Sequence, residues 1–180
     1  AWPIDMRIIC HREFRTAFND LKLSVFIFPH SFEANNLELF RKLLTEANYK
    51  VKEVYSFDDI GELDDQFIYL VMVKGVLCEV YPFFNHALVG GGFGESVHSV
   101  LEPLIAGCVT YCGGNIQRST EVENARVFSP NRIVIGESID FLSQQIVKRV
   151  YKSDNSKNGG KFIDDDYMVK YLEVLRYYEC

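Results

Sequence analysis

Long apolar runs are missing from this sequence. The stretch Phe67 to Val73 (FIYLVMV) falls far short of the roughly 18 residues that a membrane-spanning helix needs, and suits a buried strand instead. A surplus of basic charge is missing too: 19 Lys and Arg stand against 25 Asp and Glu, a net charge of −6. That balance excludes binding to a nucleic-acid backbone, which needs Lys and Arg massed on one face. Nor is there a cysteine framework. The five cysteines are odd in number and scattered among apolar residues (Cys10, Cys78, Cys108, Cys112, Cys180), so reduced thiols in a cytosolic protein are expected rather than a disulfide scaffold. Cys108 and Cys112 have no second pair at zinc-ligand spacing, so no metal is expected. No signal-peptide pattern opens the chain, and no internal repeat is visible.

What remains is globular: 48% of the 180 residues are hydrophobic, ample for one core. Helical and extended patterns alternate. Ile4, Ile8, Ile9, Phe14 and Phe18 stripe an opening helix; Leu23 to Phe28 is a β-rich strand ended by Pro29-His30; Leu37, Phe40, Leu43 and Leu44 stripe a second helix. Val51 to Tyr55 and Phe67 to Val73 read as strands, Gly75 to Tyr81 as a short helix before Pro82, and Cys108 to Tyr111 and Arg132 to Gly136 as later strands. Glu137 to Tyr151 closes the pattern as a helix. The alternation predicts an α/β fold: a Rossmann-like parallel sheet with helices on both faces, and a ligand at the carboxyl ends of the strands. Residues 1–152 are expected to form this domain, 153–161 (SDNSKNGGK) a linker, and 162–180 a C-terminal helix.

The centre of the pattern is ALVGGGFGESVHSVLEPLIAG, residues 87 to 107. An apolar strand runs into Gly90, Gly91, Gly92 and Gly94, and a helix beginning near Ser96 is predicted to follow. Glycines let main chain approach a ligand closely, and a helix start directs free N–H groups at phosphate. On such a helix His98 and Glu102, four apart, share a face. The run is neither G-x-G-x-x-G nor a P-loop, and many strand-to-helix turns carry glycine for packing alone.

The wider string is more specific. GGGFG followed by His98, Leu101, Glu102, Pro103 and Gly107 resembles the G-G-x-x…G-x-H-N-x-L-E-P signature of the Kdo transferases, which move 3-deoxy-D-manno-octulosonic acid from its CMP derivative onto lipid A precursor. Gly75, Leu77 and Tyr81 match a second family pattern, G-x-L-x-x-L-Y; Pro29-His30 resembles a third element, and Trp2-Pro3 the end of a turn that follows the family's first strand. Phe28, Lys74, Ser99 and Gly114 depart from the family's residues.

The resemblance implies the carboxy-terminal, CMP-Kdo-binding half of a GT-B type glycosyltransferase, its first strand missing. It places the nucleotide against Pro29, His30, Gly75, Val76, Leu77, Gly91, Gly92, Gly94, His98, Ser99 and Glu102. Glu102 would take both ribose hydroxyls, since a carboxylate accepts two donors at once, and His98 would donate to a phosphate or a sugar carboxylate. It implies no cofactor and no metal. The catalytic base and the site for lipid A precursor would lie in an amino-terminal domain, so this chain is expected to bind nucleotide without turnover; the full enzyme would work at the cytoplasmic face of the bacterial inner membrane. Two other readings stay open: another nucleotide-sugar transferase or a UDP-sugar epimerase, and a non-catalytic interaction domain on the same scaffold. His11 and His86 have no such context and are expected to be structural.

Overall fold

The structure, a computed structural model, describes residues 1–59, 66–94, 96–117 and 119–155. The expected C-terminal helix and most of the expected linker lie outside the described residues.

Two three-stranded sheets, every pairing parallel, form the frame. The first has the order β1 (Val25–Ile27), β3 (Phe67–Val71), β2 (Lys50–Val54), and the second runs β4 (His86–Leu88), β5 (Val109–Gly113), β6 (Ile133–Gly136). The parallel α/β reading therefore holds, with the strands divided between two sheets. Strand β3 shows why its sequence reads as unbroken apolar: Ile68 and Leu70 turn to one face and Tyr69 and Val71 to the other, and all four are buried.

A large core packs one side of both sheets. Helices α1 (Met6–Ile9), α2 (Arg12–Asp20), α3 (Ala34–Glu46) and α7 (Ile139–Asn155) bring Met6, Ile8, Phe14, Phe18, Phe40, Leu44, Leu142 and Ile146 against Ile27, Ile68, Leu70, Tyr111 and Val134. On the reverse of the second sheet, α5 (Leu101–Ile105) and α6 (Thr120–Phe128) bury Val100, Leu104, Val122 and Ala125 on Cys112 and Ile133. Helices thus cover both faces of that sheet. Helix α7 continues through Asn155, so the first residues of the expected linker are helical.

Parallel strands put all carboxyl ends on one edge. Phe28-Pro29-His30 leave β1 there, Lys74-Gly75 follow β3, Val89-Gly90 follow β4, Gly114-Asn115 follow β5 and Glu137 follows β6. Ala1 lies at the same edge: its nitrogen donates to the Phe28 carbonyl (2.6 Å) and its carbonyl accepts from the His30 amide (2.9 Å).

No helix among the described residues is long and apolar enough to cross a membrane. Among them the cysteines are free. Burial pushes the Cys108 thiol up to about 11 and the Cys112 thiol up to about 12, which keeps both protonated and unreactive. No group of three or more metal-ligating side chains occurs among the described residues. His86 is a packing residue: Nδ1 meets the Tyr111 hydroxyl at 2.9 Å and Nε2 the Ser153 hydroxyl at 3.3 Å.

Candidate functional site

The glycine turn is shaped by what it packs against. Gly91 (φ +90°) and Gly92 (φ +80°) take left-handed conformations open to glycine. A Cβ on Gly91 would stand 2.3 Å from the Ser96 carbonyl oxygen, and one on Gly92 2.6 Å from the main chain of Gly113. Gly113 is locked reciprocally, since its own Cβ would meet Gly92 at 2.5 Å. Both turn glycines are buried, and the Gly91 amide donates to Asp5 (3.3 Å). Close packing alone therefore demands glycine at these two positions. Gly94 is exposed with open space around it, and so is Gly75 (φ +73°). These two leave room for a ligand.

The predicted helix from Ser96 is also corrected. Residues 96 to 99 form a loop, and α5 begins only at Leu101. The loop is pinned across the turn by Ser96 against Gly91, by the His98 amide donating to the Gly90 carbonyl (3.3 Å), and by Val97 and Val100 buried in the second core. Pro103 fixes where helix can begin. In a helix starting at Ser96 it would sit in the interior, without an N–H for the Ser99 carbonyl and clashing with it; at the third position of α5 neither problem arises. A Schellman motif ends α5 one turn later: Cys108 N–H bonds the Pro103 carbonyl (2.9 Å) and Gly107, φ +91°, bonds Leu104 (3.0 Å). So His98 and Glu102 share no helical face, and a five-residue helix offers no anion site at its start.

The loop brings His98 to His30 instead. Their rings stack at 4.6 Å, 23° from parallel, and the Trp2 indole lies on His30 at 4.3 Å. Trp2 Nε1 donates to His98 Nε2 at 3.0 Å. Behind this three-ring cluster sits Asp5, 1% exposed, whose Oδ2 accepts from the Trp2 amide (2.7 Å) and the Gly91 amide. Burial pushes the Asp5 carboxyl up, and the two amides oppose that shift. For His98, burial and then the neighbouring His30 lower the pKa, so the ring is neutral near pH 7. Two exposed imidazoles side by side make a surface able to donate hydrogen bonds to an anionic group. Pro29, the residue before His30, is buried.

Glu102 lies elsewhere on the rim. Helix α5 packs on the 3₁₀ turn Tyr81–Phe83, which sets the exposed Glu102 carboxylate beside Cys78, whose thiol its charge pushes up, and near Tyr81. Helix α4 (Leu77–Val80) starts there with Val76 half-buried and Leu77 exposed. On the other side of Gly75, Lys74 reaches over the Phe32 ring at 4.9 Å, tying this segment to the loop that carries His30. Ser99 is half-buried between His98 and α5. An open cavity of about 500 Å³ adjoins the turn, lined by Gly92, Phe93, Gly94, Gly114, Asn115 and Glu137. Asn115 ties it to the turn, through its amide to the Gly92 carbonyl (2.9 Å) and its side chain to that of Gly94 (3.4 Å).

The structure thus joins His30 to His98 and sets Glu102 beside Cys78 and Tyr81. Sequence reasoning missed Trp2 and Asp5 as parts of the site, and Asn115 and Glu137 as cavity walls. Asp5 carried one signal, an acidic residue among apolar helix positions.

No protein-family model matches the chain, and no curated protein sequence matches it. Among solved structures it is similar to the C-terminal CMP-Kdo binding domain of WaaA from Acinetobacter baumannii, at 15% sequence identity with a TM-score of 0.65, over 95% of this chain and 82% of that one. The chain therefore has the fold of that domain, a Rossmann-like arrangement of parallel strands with helices packed on them.

Proposed function

We propose that this chain is the nucleotide-sugar-binding domain of a Kdo transferase and takes CMP-Kdo at the carboxyl edge of its strands. The observation that carries the reading is the meeting of His30 with His98 beside the glycine turn, from motifs 68 positions apart that both match the family's pattern. The fold likeness supports it. His30 and His98 take the anionic part of the ligand as hydrogen-bond donors, and Ser99 donates beside them. Main chain at Gly75, Val76 and Leu77 borders the base, Glu102 accepts from the ribose hydroxyls, and Gly94 leaves room where the sugar enters. The catalytic base and the lipid A precursor belong to another domain of the enzyme, which works at the cytoplasmic face of the inner membrane; alone, this chain binds and does not turn over.

Calorimetric titration with CMP, with UDP as competitor, tests this. Saturable binding of CMP in preference to UDP is expected. Preference for UDP would move the assignment to another nucleotide-sugar enzyme, and a folded protein that binds neither would leave an interaction domain.

A further inference from the structure

Trp2 belongs to none of the contacts just assigned, yet it touches both imidazoles. Its indole N–H can only donate, and the nitrogen it faces, His98 Nε2 at 3.0 Å, must therefore offer a lone pair. A neutral imidazole has one such nitrogen, so the proton sits on Nδ1. Both partners are fixed independently of this bond. Trp2 is held by two reciprocal hydrogen bonds with Asp5, its amide donating to the side-chain Oδ2 at 2.7 Å and its carbonyl accepting from the Asp5 amide at 3.0 Å, and by the stack on His30. His98 is held by its amide to Gly90 and by the buried valines on either side of the pair His98-Ser99. The two rings lie 9° from parallel with centroids 6.1 Å apart, a separation that accommodates the 3.0 Å N–H···N bond between their edges.

We propose that Trp2 is a positioning residue: its indole N–H holds His98 as the Nδ1–H tautomer, so that His98 meets the anionic group of the ligand as a neutral donor through Nδ1. The ligand half of this rests on the functional reading above; the tautomer half does not. Among the described residues, the charged and titratable groups around the ring are His30 at stacking distance, Asp5 behind Trp2, and the Ala1 amine. Protonation of His98 would put a second hydrogen on Nε2, facing the indole N–H, and break the bond. The resting site is therefore the neutral one. Asp5 makes its hydrogen bonds through Oδ2 to the Trp2 and Gly91 amides.

The test is nitrogen-15 NMR of the imidazole side chains at mildly alkaline pH, where histidines are neutral, on the parent and on Trp2→Phe, which keeps a ring on His30 and removes the donor. The parent is expected to show His98 with a protonated Nδ1 and a bare Nε2. In Trp2→Phe the proton should move predominantly to Nε2, and CMP should bind about fivefold more weakly, the worth of one neutral hydrogen bond. A parent with the proton on Nε2, or a variant whose tautomer is unchanged, would overturn the assignment. A variant whose tautomer switches while CMP binds as before would overturn the role toward ligand. The parent spectrum needs no variant to fold, and a parent with the assigned tautomer but no affinity for CMP would defeat the functional reading alone.

Discussion

On the flank of the glycine turn nearest the amino terminus, Asp5, Trp2, His30 and His98 hold one another through hydrogen bonds and stacking, and the carboxylate at the centre is fully buried. On the flank nearest α4, Glu102, Cys78 and Leu77 are all exposed, and Glu102 acts on the Cys78 thiol through its charge and a side-chain hydrogen bond at the surface. The first flank is finished when the chain folds, so its contacts contribute to stability whether or not a ligand is present. The second is nearly free of internal duties. Substitutions there should show in binding and leave stability alone.

The sharpest way to break this contrast is within the turn itself. Gly92→Ala puts a β-carbon 2.6 Å from the Gly113 main chain at a φ of +80°. Left-handed strain of about 1–2 kcal/mol and overpacking of about 1–3 kcal/mol together predict a loss of about 2–5 kcal/mol in urea unfolding. Gly94→Ala, with nothing within 4 Å, should change stability by less than about 1 kcal/mol. If the two variants unfold alike, the turn is not locked by Gly113.

Acid should act on the far end of the frame before it acts on the site. His86 is half-buried against Tyr111, and desolvation there lowers its pKa to about 4. The unfolded chain takes up this proton near pH 6.5 and the folded one only near pH 4. Stability is therefore full above pH 6.5 and falls through that window by about 3 kcal/mol. His86→Asn, which can still meet the Tyr111 hydroxyl, should flatten the fall. Asp5 works in the opposite sense, because its raised pKa makes acidification relieve a buried charge. Should thermal unfolding of the His86 variant keep the full acid dependence, another group is responsible.

Asp5→Ala sharpens the same comparison. It strands the amides of Trp2 and Gly91 but also removes a buried, half-satisfied carboxylate, since Oδ1 has no hydrogen-bond partner among the described residues. A net loss of about 2 kcal/mol is expected, together with the loss of the His98 tautomer preference in the nitrogen-15 spectrum. Unchanged stability would show that the flank is not held by Asp5.

The parallel frame was legible because Leu23 to Phe28 and Phe67 to Val73 are apolar on both faces, which only strands covered on both sides require. The site was legible in parts. Pro29-His30, Gly75 to Leu77 and the glycine stretch were found as separate motifs, but the pairing of His30 with His98 is a tertiary contact that no local period encodes. The helix from Ser96 failed on a signal that was present: Pro103 would break a helix starting so early, and β-branched Val97 and Val100 weaken it further. The division into two sheets was not legible either, because periodicity speaks of faces and not of which edges pair.

The smallest effect tests the exposed flank most directly. Cys78 is exposed beside Glu102, whose carboxylate holds the thiol above its ordinary pKa. Glu102→Gln should lower that pKa and speed alkylation of Cys78 by about two- to threefold at mildly alkaline pH, a modest gain because the pair is screened by water. Mass spectrometry separates this thiol from the buried Cys108 and Cys112. If Glu102 also receives the ribose, CMP should slow Cys78 alkylation in the parent by covering the flank, and Glu102→Gln should bind CMP about tenfold more weakly through the loss of a charge-assisted pair of hydrogen bonds, with urea unfolding unchanged. Protection by CMP that persists undiminished in Glu102→Gln would mean that the ligand lies beside Cys78 without resting on Glu102. Absence of protection in the parent would place the ligand on the histidine flank alone.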